Sequence, residues 1–501
     1  MKYILYRFFS FLICAAMTFA CITGMSFAAD TSVQKQWNLS GDGYGIGVDA
    51  AKANGLTGSG VKIAIIDSGI NRVHEDLQGV AIETGCNIIN NTTDITDNFG
   101  HGTFIAGIIA ANAHNGVGIS GICDQVTLVP IKCFDSSLTN VKHVVAGIYK
   151  AVDEYQCDVI NLSLGVTTDM PALREAIDYA ASRNVIIVAA VGNNGEMNPE
   201  QILYPAAYEN VIGVGAHDQN GNICTFSHIN TSVFVTAPGD NIYSLDAKNS
   251  IGYNAGSGTS FASAHVAAMA VIAKSYDKNI TVEEFKALLM NSAVDAGVPG
   301  YDTTYGYGMV SIPGMIQELQ KLPVFRDIGQ HWAKENIEFC YELGLLSGVG
   351  EGLFQPDGTL TRAMVVSALW RLEGCPADNG TVFFADIQSG TWYDTAVKWA
   401  AEHHIVNGYG EGRFGPDDNV TREQLATILY GYAAYKNMNL TADSPTSYID
   451  WTQISSYAVQ PVSWAITNHI ISGKTQDTIV PQGAATRAEV ATILRNFLSI
   501  L

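Results

Sequence analysis

Positive charge is scarce in this chain. Its 501 residues hold 27 Lys and Arg against 48 Asp and Glu, a formal net charge of −21. Phosphate binding needs a basic surface, so this balance argues against nucleic acid as a partner. A net charge this far from zero keeps a protein in solution. Long hydrophobic runs are missing too: beyond the first 28 residues no stretch has eighteen apolar residues in succession, and no later transmembrane helix is expected. Cysteine occurs nine times but never as CxxC. Cys14 and Cys21 fall in the N-terminal leader. The seven that remain, Cys86, Cys123, Cys133, Cys157, Cys224, Cys340 and Cys375, are odd in number and sit mostly in apolar runs, which favours buried free thiols over a disulfide framework.

The leader, "MKYILYRFFSFLICAAMTFACITGMSFAAD", places Lys2 and Arg7 ahead of an apolar run that ends in Ser26-Phe27-Ala28, a small-x-small cleavage pattern. Residues 1–28 therefore read as a secretory signal. A membrane anchor is the weaker reading, because Ser10, Thr18 and Thr23 interrupt the run and no stop-transfer charge cluster follows. Phe19-Ala20-Cys21 makes a poor lipoprotein site, since Thr18 stands where a large aliphatic residue is expected.

From about Val61 to Gln317 the chain alternates β-branched runs with helical patterns. "VKIAIID" (61–67), "TLVPIKC" (127–133), "DVINLSLG" (158–165), "NVIIVAAVG" (184–192) and "NVIGVGA" (210–216) are near-continuous hydrophobic strands of the kind covered on both faces. Val141, Val144, Val145, Ile148, Val152 and Tyr155 repeat at helical spacing, and Pro171 opens a further helix. Alternating strands and helices predict an α/β fold, a parallel β-sheet with helices on both faces.

Ligands of open α/β sheets bind at the carboxyl ends of the strands, where three candidates appear in chain order. Asp67 ends "VKIAIID", His101 lies at the glycine-flanked start of a helix in "DNFGHGTFIAGIIAANA", and Ser260 opens the helix of "GSGTSFASAHVAAMAV". Alone, each is an ordinary turn or cap residue. Together they supply a hydroxyl, a base for its proton and a carboxylate to orient that base, which is what acyl transfer requires.

Residues 34–317 resemble the catalytic domain of subtilisin-like serine proteases, whose Asp-, His- and Ser-boxes are similar to "IAIIDSGI", "GHGTFIAGIIAA" and "GTSFASAHVAA". The peptidase domain is drawn at 30–320. The resemblance implies Asp67, His101 and Ser260 as the triad, and Asn193 of "VIIVAAVGNNGE" as an oxyanion donor, with Asn194 the competitor. The Ser260 N–H at its helix start would be the second donor. Ser163, Leu164 and Gly165 of "NLSLG" resemble the edge along which these proteases pair the substrate backbone, while also reading as buried strand. Asp76 matches a calcium-ligand position, with Asn115 beside it in "NAHNGVG"; a solvated surface aspartate is the alternative, so a structural calcium is the one metal implied and catalysis itself uses no cofactor.

Three departures from the family pattern stand out. Ala264 replaces the proline before the Ser-box histidine, Phe104 replaces a histidine of the His-box, and residues 29–60 leave no room for a long inhibitory prosegment, so activity is expected without its removal. His265 reads as a packed core residue, not a second base.

After "KLPV" a segment recurs three times, over 325–374, 384–433 and 448–498, with Thr-Arg pairs at 361, 421 and 486. A period of this size means an array of similar helical units. The repeats resemble S-layer homology modules, which implies a mostly helical three-module bundle anchoring an exported protein to an acidic polysaccharide of a Gram-positive-type wall. The matching positions are Asp327, Trp332 and Arg362; Asp386, Trp392 and Arg422; and Asp450, Tyr457 and Arg487. Thr486 with Glu489 and Thr421 with Gln424 fit a capping box, whereas Thr361 faces Met364. The arginines suit a carboxylate-bearing sugar, or else pair with a nearby acid. His403 and His404 point to different helix faces, which argues against a shared metal.

The expectation is a secreted, wall-anchored serine endopeptidase acting on polypeptides. The rival is a silent surface protein that keeps the protease fold as a scaffold or binding module.

Overall fold

Residues 63–66 of the first strand are all buried but alternate between two cores, one on each face of the sheet. Ile63 and Ile65 pack in one cluster with Val159, Val188 and Val214, while Ala64 and Ile66 pack in another with Ile131, Ile160 and Ala189. A strand buried on both faces cannot show the polar alternation of a surface strand, which is why these segments read as continuous apolar runs. The computed structural model describes residues 32–136, 140–350, 352–377, 382–443 and 448–501. The leader expected over 1–28 lies outside the described residues. The chain divides into two compact units, Met1–Leu322 and Pro323–Leu501.

In the first unit the strands β1 (Lys62–Asp67), β2 (Ala81–Ile82), β3 (Cys86–Asn87), β4 (Thr127–Lys132), β5 (Val159–Leu162), β6 (Ile186–Ala190), β7 (Val211–His217) and β8 (Val235–Pro238) form one sheet. Its order is β2-β4-β1-β5-β6-β7-β8, with β3 also on β4, and its strand pairs are parallel. An antiparallel pair, β9 (Ile242–Leu245) and β10 (Tyr253–Gly256), stands apart from it. The short β2, β3 and β8 and this pair carry too few apolar residues in a row to announce themselves in the sequence.

Helices cover both faces. His101–Ala110 and Thr259–Tyr276 join the first core; Val141–Tyr149, running on as a wider turn over Lys150–Glu154, and Pro171–Ser182 join the second. Thr259–Tyr276 is buried from Thr259 to Lys274, which explains why its alanine- and valine-rich sequence shows no polar face. His265 sits within it as a core residue, Nδ1 donating to Phe261 O at 2.7 Å and Nε2 accepting from Asn38 Nδ2 at 2.8 Å. The seven cysteines from Cys86 to Cys375 are free, six of them buried. Burial holds the Cys224 and Cys340 thiols up at about 12. No helix among the described residues is long and apolar enough to cross a membrane.

The second unit contains two α-helices per module, and the packed pairs cross the module boundaries: Arg362–Leu372 lies on Asp394–Glu402, Arg422–Tyr435 on Val459–Thr467, and Arg487–Leu498 on Lys334–Glu342. Thr421 and Thr486 form complete capping boxes, and Thr361 accepts only from Met364 N–H. Each second helix is tied to the following module. Arg362 N–H donates to Asp418 O, Arg422 N–H to Gly483 O, and Arg487 N–H back to Gly358 O, so the three modules close on one another in a ring.

Candidate active site

Three strand ends and two helix starts build the first site. Asp67, the last residue of β1, is fully buried, and His101 opens the next helix at a side-chain exposure of 21%. His101 Nδ1 lies 2.9 Å from both Asp67 carboxylate oxygens. This approach depends on Gly102, where a Cβ would come within 2.2 Å of Gly69 O and 3.2 Å of Asp67 Cβ. Burial pulls the imidazole pKa down, but the charge and hydrogen bond of Asp67, with Asp97, outweigh it, and the net shift is upward.

Asp97 is a residue that sequence reasoning missed. Its buried Oδ1 accepts from Ser68 Oγ (2.8 Å), Phe99 N–H (3.2 Å) and Gly100 N–H (2.7 Å), and its Oδ2 from Thr103 N–H (2.9 Å) and Thr103 Oγ (2.6 Å). It thereby caps the His101 helix and locks it to the turn after β1. The available signal was the "DNFG" cluster directly before an apolar helix.

Ser260 lies in the first turn of Thr259–Tyr276, and the ring of the following Phe261 is 6.1 Å from the His101 ring. Phe104 stacks on Phe261 at 4.2 Å, which accounts for an aromatic residue in that helix. The Ser260 hydroxyl donates to Ser163 O at 3.3 Å, and no Ser260–His101 hydrogen bond occurs among the described residues. A serine hydroxyl turns among staggered positions about one bond, and catalytic hydrogen bonds commonly tighten only with substrate bound. Ser163 fixes the serine's backbone as well, its Oγ donating to Ser260 O at 2.9 Å and meeting Ser263 Oγ at 3.0 Å. Ser163 is buried, Leu164 half-buried and Gly165 exposed, so the strand emerges at the surface beside the serine.

Asn193 and Asn194 part company here. Asn193 Oδ1 accepts from both Thr259 N–H and Thr259 Oγ at 2.8 Å, one residue before Ser260. A Cβ on Gly258 would lie 3.3 Å from Asn193 Nδ2. With its oxygen committed, the amide nitrogen is the group left to serve a ligand. Asn194 instead gives its N–H to His228 Nε2 at 3.2 Å. Between Gly165 and Gly192 lies Leu203, its Cδ1 3.2 Å and 2.5 Å from where Cβ atoms on those glycines would be.

Asp76 and Asn115 also come together, but Asn115 Nδ2 and Ile119 N–H both donate to the Asp76 carboxylate at 2.8 Å, and Asn115 Oδ1 accepts from Val117 N–H at 3.0 Å. Each of these oxygens already accepts an N–H, so a calcium ion here would have to share or displace those bonds. Among the described residues no cluster of three or more His, Cys, Asp or Glu side chains is placed to hold a metal.

In the second unit the three aspartates serve the fold. Asp327 accepts from Phe354 and Gln355 N–H, Asp386 from Phe414 and Gly415, and Asp450 from Ile479 and Val480. Burial raises the Asp450 carboxyl, yet those two N–H groups prevail and its pKa falls. The arginines, 5–6% exposed, reach into the next module: Arg362 Nε to Phe414 O (3.0 Å), Arg422 Nε to Ile479 O (2.7 Å) and Arg487 Nε to Phe354 O (2.6 Å). Exposure falls instead on Trp332 (65%), Trp392 (56%) and Tyr457 (54%). Tyr457 differs from the tryptophans, because its hydroxyl donates to Glu423 Oε1 at 3.0 Å. That buried carboxylate also takes Ser455 Oγ and Gln482 Nε2 at 2.8 Å. Alanines, Ala363 and Ala488, follow the arginine in the other modules, so Glu423 was legible only as an odd residue in a repeat.

A family model described as the subtilase family matches residues 58–308, and one described as the S-layer homology domain matches 324–363, 383–426 and 447–491. The chain is 37% identical over 288 residues to minor extracellular protease Epr of Bacillus subtilis, covering 57% of this chain and 42% of that protein. It is 34% identical over 278 residues to subtilisin DY of Bacillus licheniformis, covering 55% of this chain and 98% of that one. Among solved structures, a protease of Pseudoalteromonas arctica PAMC 21717 superposes with a TM-score of 0.53 at 25% identity, over 59% of this chain and all of that one. The chain belongs to the subtilase family of serine proteases, with three S-layer homology domains after the peptidase domain.

Proposed function

We propose that this protein is a secreted serine endopeptidase, held at the wall of a Gram-positive-type cell by its second unit, that cleaves polypeptides through an acyl-enzyme on Ser260. The observation that carries the reading is the paired contact of His101 Nδ1 with Asp67, which leaves Nε2 to accept a proton. A substrate strand lies along Ser163–Gly165 and brings its carbonyl to Ser260. The hydroxyl leaves Ser163 O, gives its proton to His101 Nε2 and attacks. Asp67 stabilises the imidazolium so formed, and Asn193 Nδ2 with the Ser260 N–H holds the oxyanion. His101 then protonates the leaving amine, and the same groups in reverse admit water to the acyl-enzyme.

At the wall, the exposed Trp332 and Trp392 offer aromatic surface to sugar rings. Tyr457 is poorly suited to an acidic polymer, since Glu423 already takes its hydroxyl, with Ser455 and Gln482, and would repel a second carboxylate.

The scaffold reading draws on the Ser260 hydroxyl bonded to Ser163 O in place of His101. Labelling the folded protein with a fluorophosphonate, with Ser260→Ala as control, separates the two. Stoichiometric labelling lost in the variant supports the enzyme, and no labelling of native protein supports the scaffold.

A further inference from the structure

Asn193 is held at its side-chain oxygen by Thr259, but its backbone hangs on a different residue. His228 is buried, and it hydrogen-bonds on both sides of Asn193 without touching it. Its N–H donates to Gly192 O at 3.1 Å, its Nδ1 faces Val191 O at 2.9 Å, and its Nε2 faces Asn194 N–H at 3.2 Å. A carbonyl can only accept and an N–H can only donate, so the ring is the neutral tautomer with the proton on Nδ1. Burial, which lowers its pKa, keeps it neutral.

Three positions around the amide, 191, 192 and 194, are thus fastened to one residue, two of them through its ring. The fit is close. Gly192 has φ +115°, and a Cβ there would lie 2.7 Å from His228 Nδ1 and Cε1. Gly195 N–H, bonded to Phe226 O at 2.8 Å, continues the same seam.

An oxyanion donor acts only if it is aimed before charge develops, and a displacement of about 1 Å costs on the order of 10²-fold in rate. We propose that His228 is a positioning residue for acyl transfer, its imidazole holding the 191–194 turn so that Asn193 Nδ2 meets the oxyanion. The proposal rests on the reading of Asn193 given above. It predicts that removing the imidazole's hydrogen bonds slows the chemical step through Asn193 and no other group.

The test is a double-mutant cycle on the full chain, with kcat and KM measured on a peptide p-nitroanilide and normalised to active sites titrated by fluorophosphonate. His228→Phe keeps the ring's bulk and neither ring hydrogen bond. It is expected to lower kcat roughly 10- to 100-fold with KM nearly unchanged, and Asn193→Ala to lower kcat roughly 10²- to 10³-fold. The double variant should be no slower than Asn193→Ala alone. His228→Gln, which offers one donor and one acceptor, should recover most of the lost kcat, and His228→Leu, which likewise lacks both ring hydrogen bonds, carries the same cycle if the Phe variant does not fold. Losses that multiply in the double variant, or a change confined to KM, overturn the proposal. An Asn193→Ala enzyme as fast as the parent overturns the Asn193 reading itself, a result distinct from multiplicative losses.

Discussion

Replacing Arg487 by leucine asks whether the arginines of the repeats hold the modules together or hold a ligand. Arg487 Nε donates to Phe354 O and Nη2 to Ser347 O, both at 2.6 Å, and the guanidinium lies 4.4 Å from the Phe354 ring centre. Phe354 is fully buried, so its carbonyl would lose its partner with no water to replace it, a cost of about 2 kcal/mol. Ser347 is exposed and its carbonyl rewets, which reduces that loss to about 0.5 kcal/mol. The cation–π contact adds about 1 kcal/mol. The second unit should lose about 3–4 kcal/mol, lowering its urea midpoint by about 1.5–2 M at a slope of about 2 kcal/mol/M. Tryptophan fluorescence is the right probe, since six of the seven tryptophans belong to this unit and only Trp37 to the other. Trp332→Ala is the counterpart: its side chain is exposed, so stability should change by no more than about 0.5 kcal/mol while sedimentation with isolated cell walls weakens. An unchanged midpoint in Arg487→Leu together with lost wall binding would make the arginine a ligand contact and refute the structural role.

Three further outcomes follow from the first unit. Asp67→Asn should slow kcat on the order of 10⁴-fold, and because it removes the charge that raises His101 while burial still lowers it, the acid limb of kcat/KM should move to lower pH; a limb that stays or rises contradicts this. Burial holds His217 and His265 at about 4, below the unfolded value of about 6.5, so the unfolded chain takes up protons first. Their stabilisation is whole above about 6.5 and is lost as pH falls towards about 4; thermal unfolding of inhibited enzyme should show that slope, shallower in His265→Gln, and equal slopes would count against it. Leu203→Gly empties the slot between Gly165 and Gly192 and should raise kcat/KM for substrates with Phe or Leu before the scissile bond by about tenfold or more relative to Ala; a peptide series with unchanged preference would remove Leu203 from the pocket.

Strands β1, β4, β5, β6 and β7 were legible because a sheet covered on both faces demands unbroken apolar runs, and Asp67, His101 and Ser260 because each ends a strand or starts a helix. His265 was legible as core from its place in a buried helix. What did not show was whatever depends on partners distant in sequence. Asp97 and His228 look like any loop polar residue until the turns they fasten are folded around them. The aspartates of the repeats sit beside aromatic residues in the sequence, yet their carboxylates close loops 27 to 30 residues further on. Glu423 departs from the small residue of its sister repeats, and only folding brings Ser455, Tyr457 and Gln482 to it.

The central claim is that one hydroxyl, one imidazole and one amide converge on a single carbonyl. A crystal structure of the enzyme with a peptide boronate bound measures this directly. The account predicts a covalent bond from Ser260 Oγ to boron, with the hydroxyl withdrawn from Ser163 O. His101 Nε2 should then lie within about 3.2 Å of the adduct and Asn193 Nδ2 within about 3.1 Å of a boronate oxygen. An adduct whose oxygen faces away from Asn193, or an inhibitor bound elsewhere with Ser260 still on Ser163 O, would contradict it.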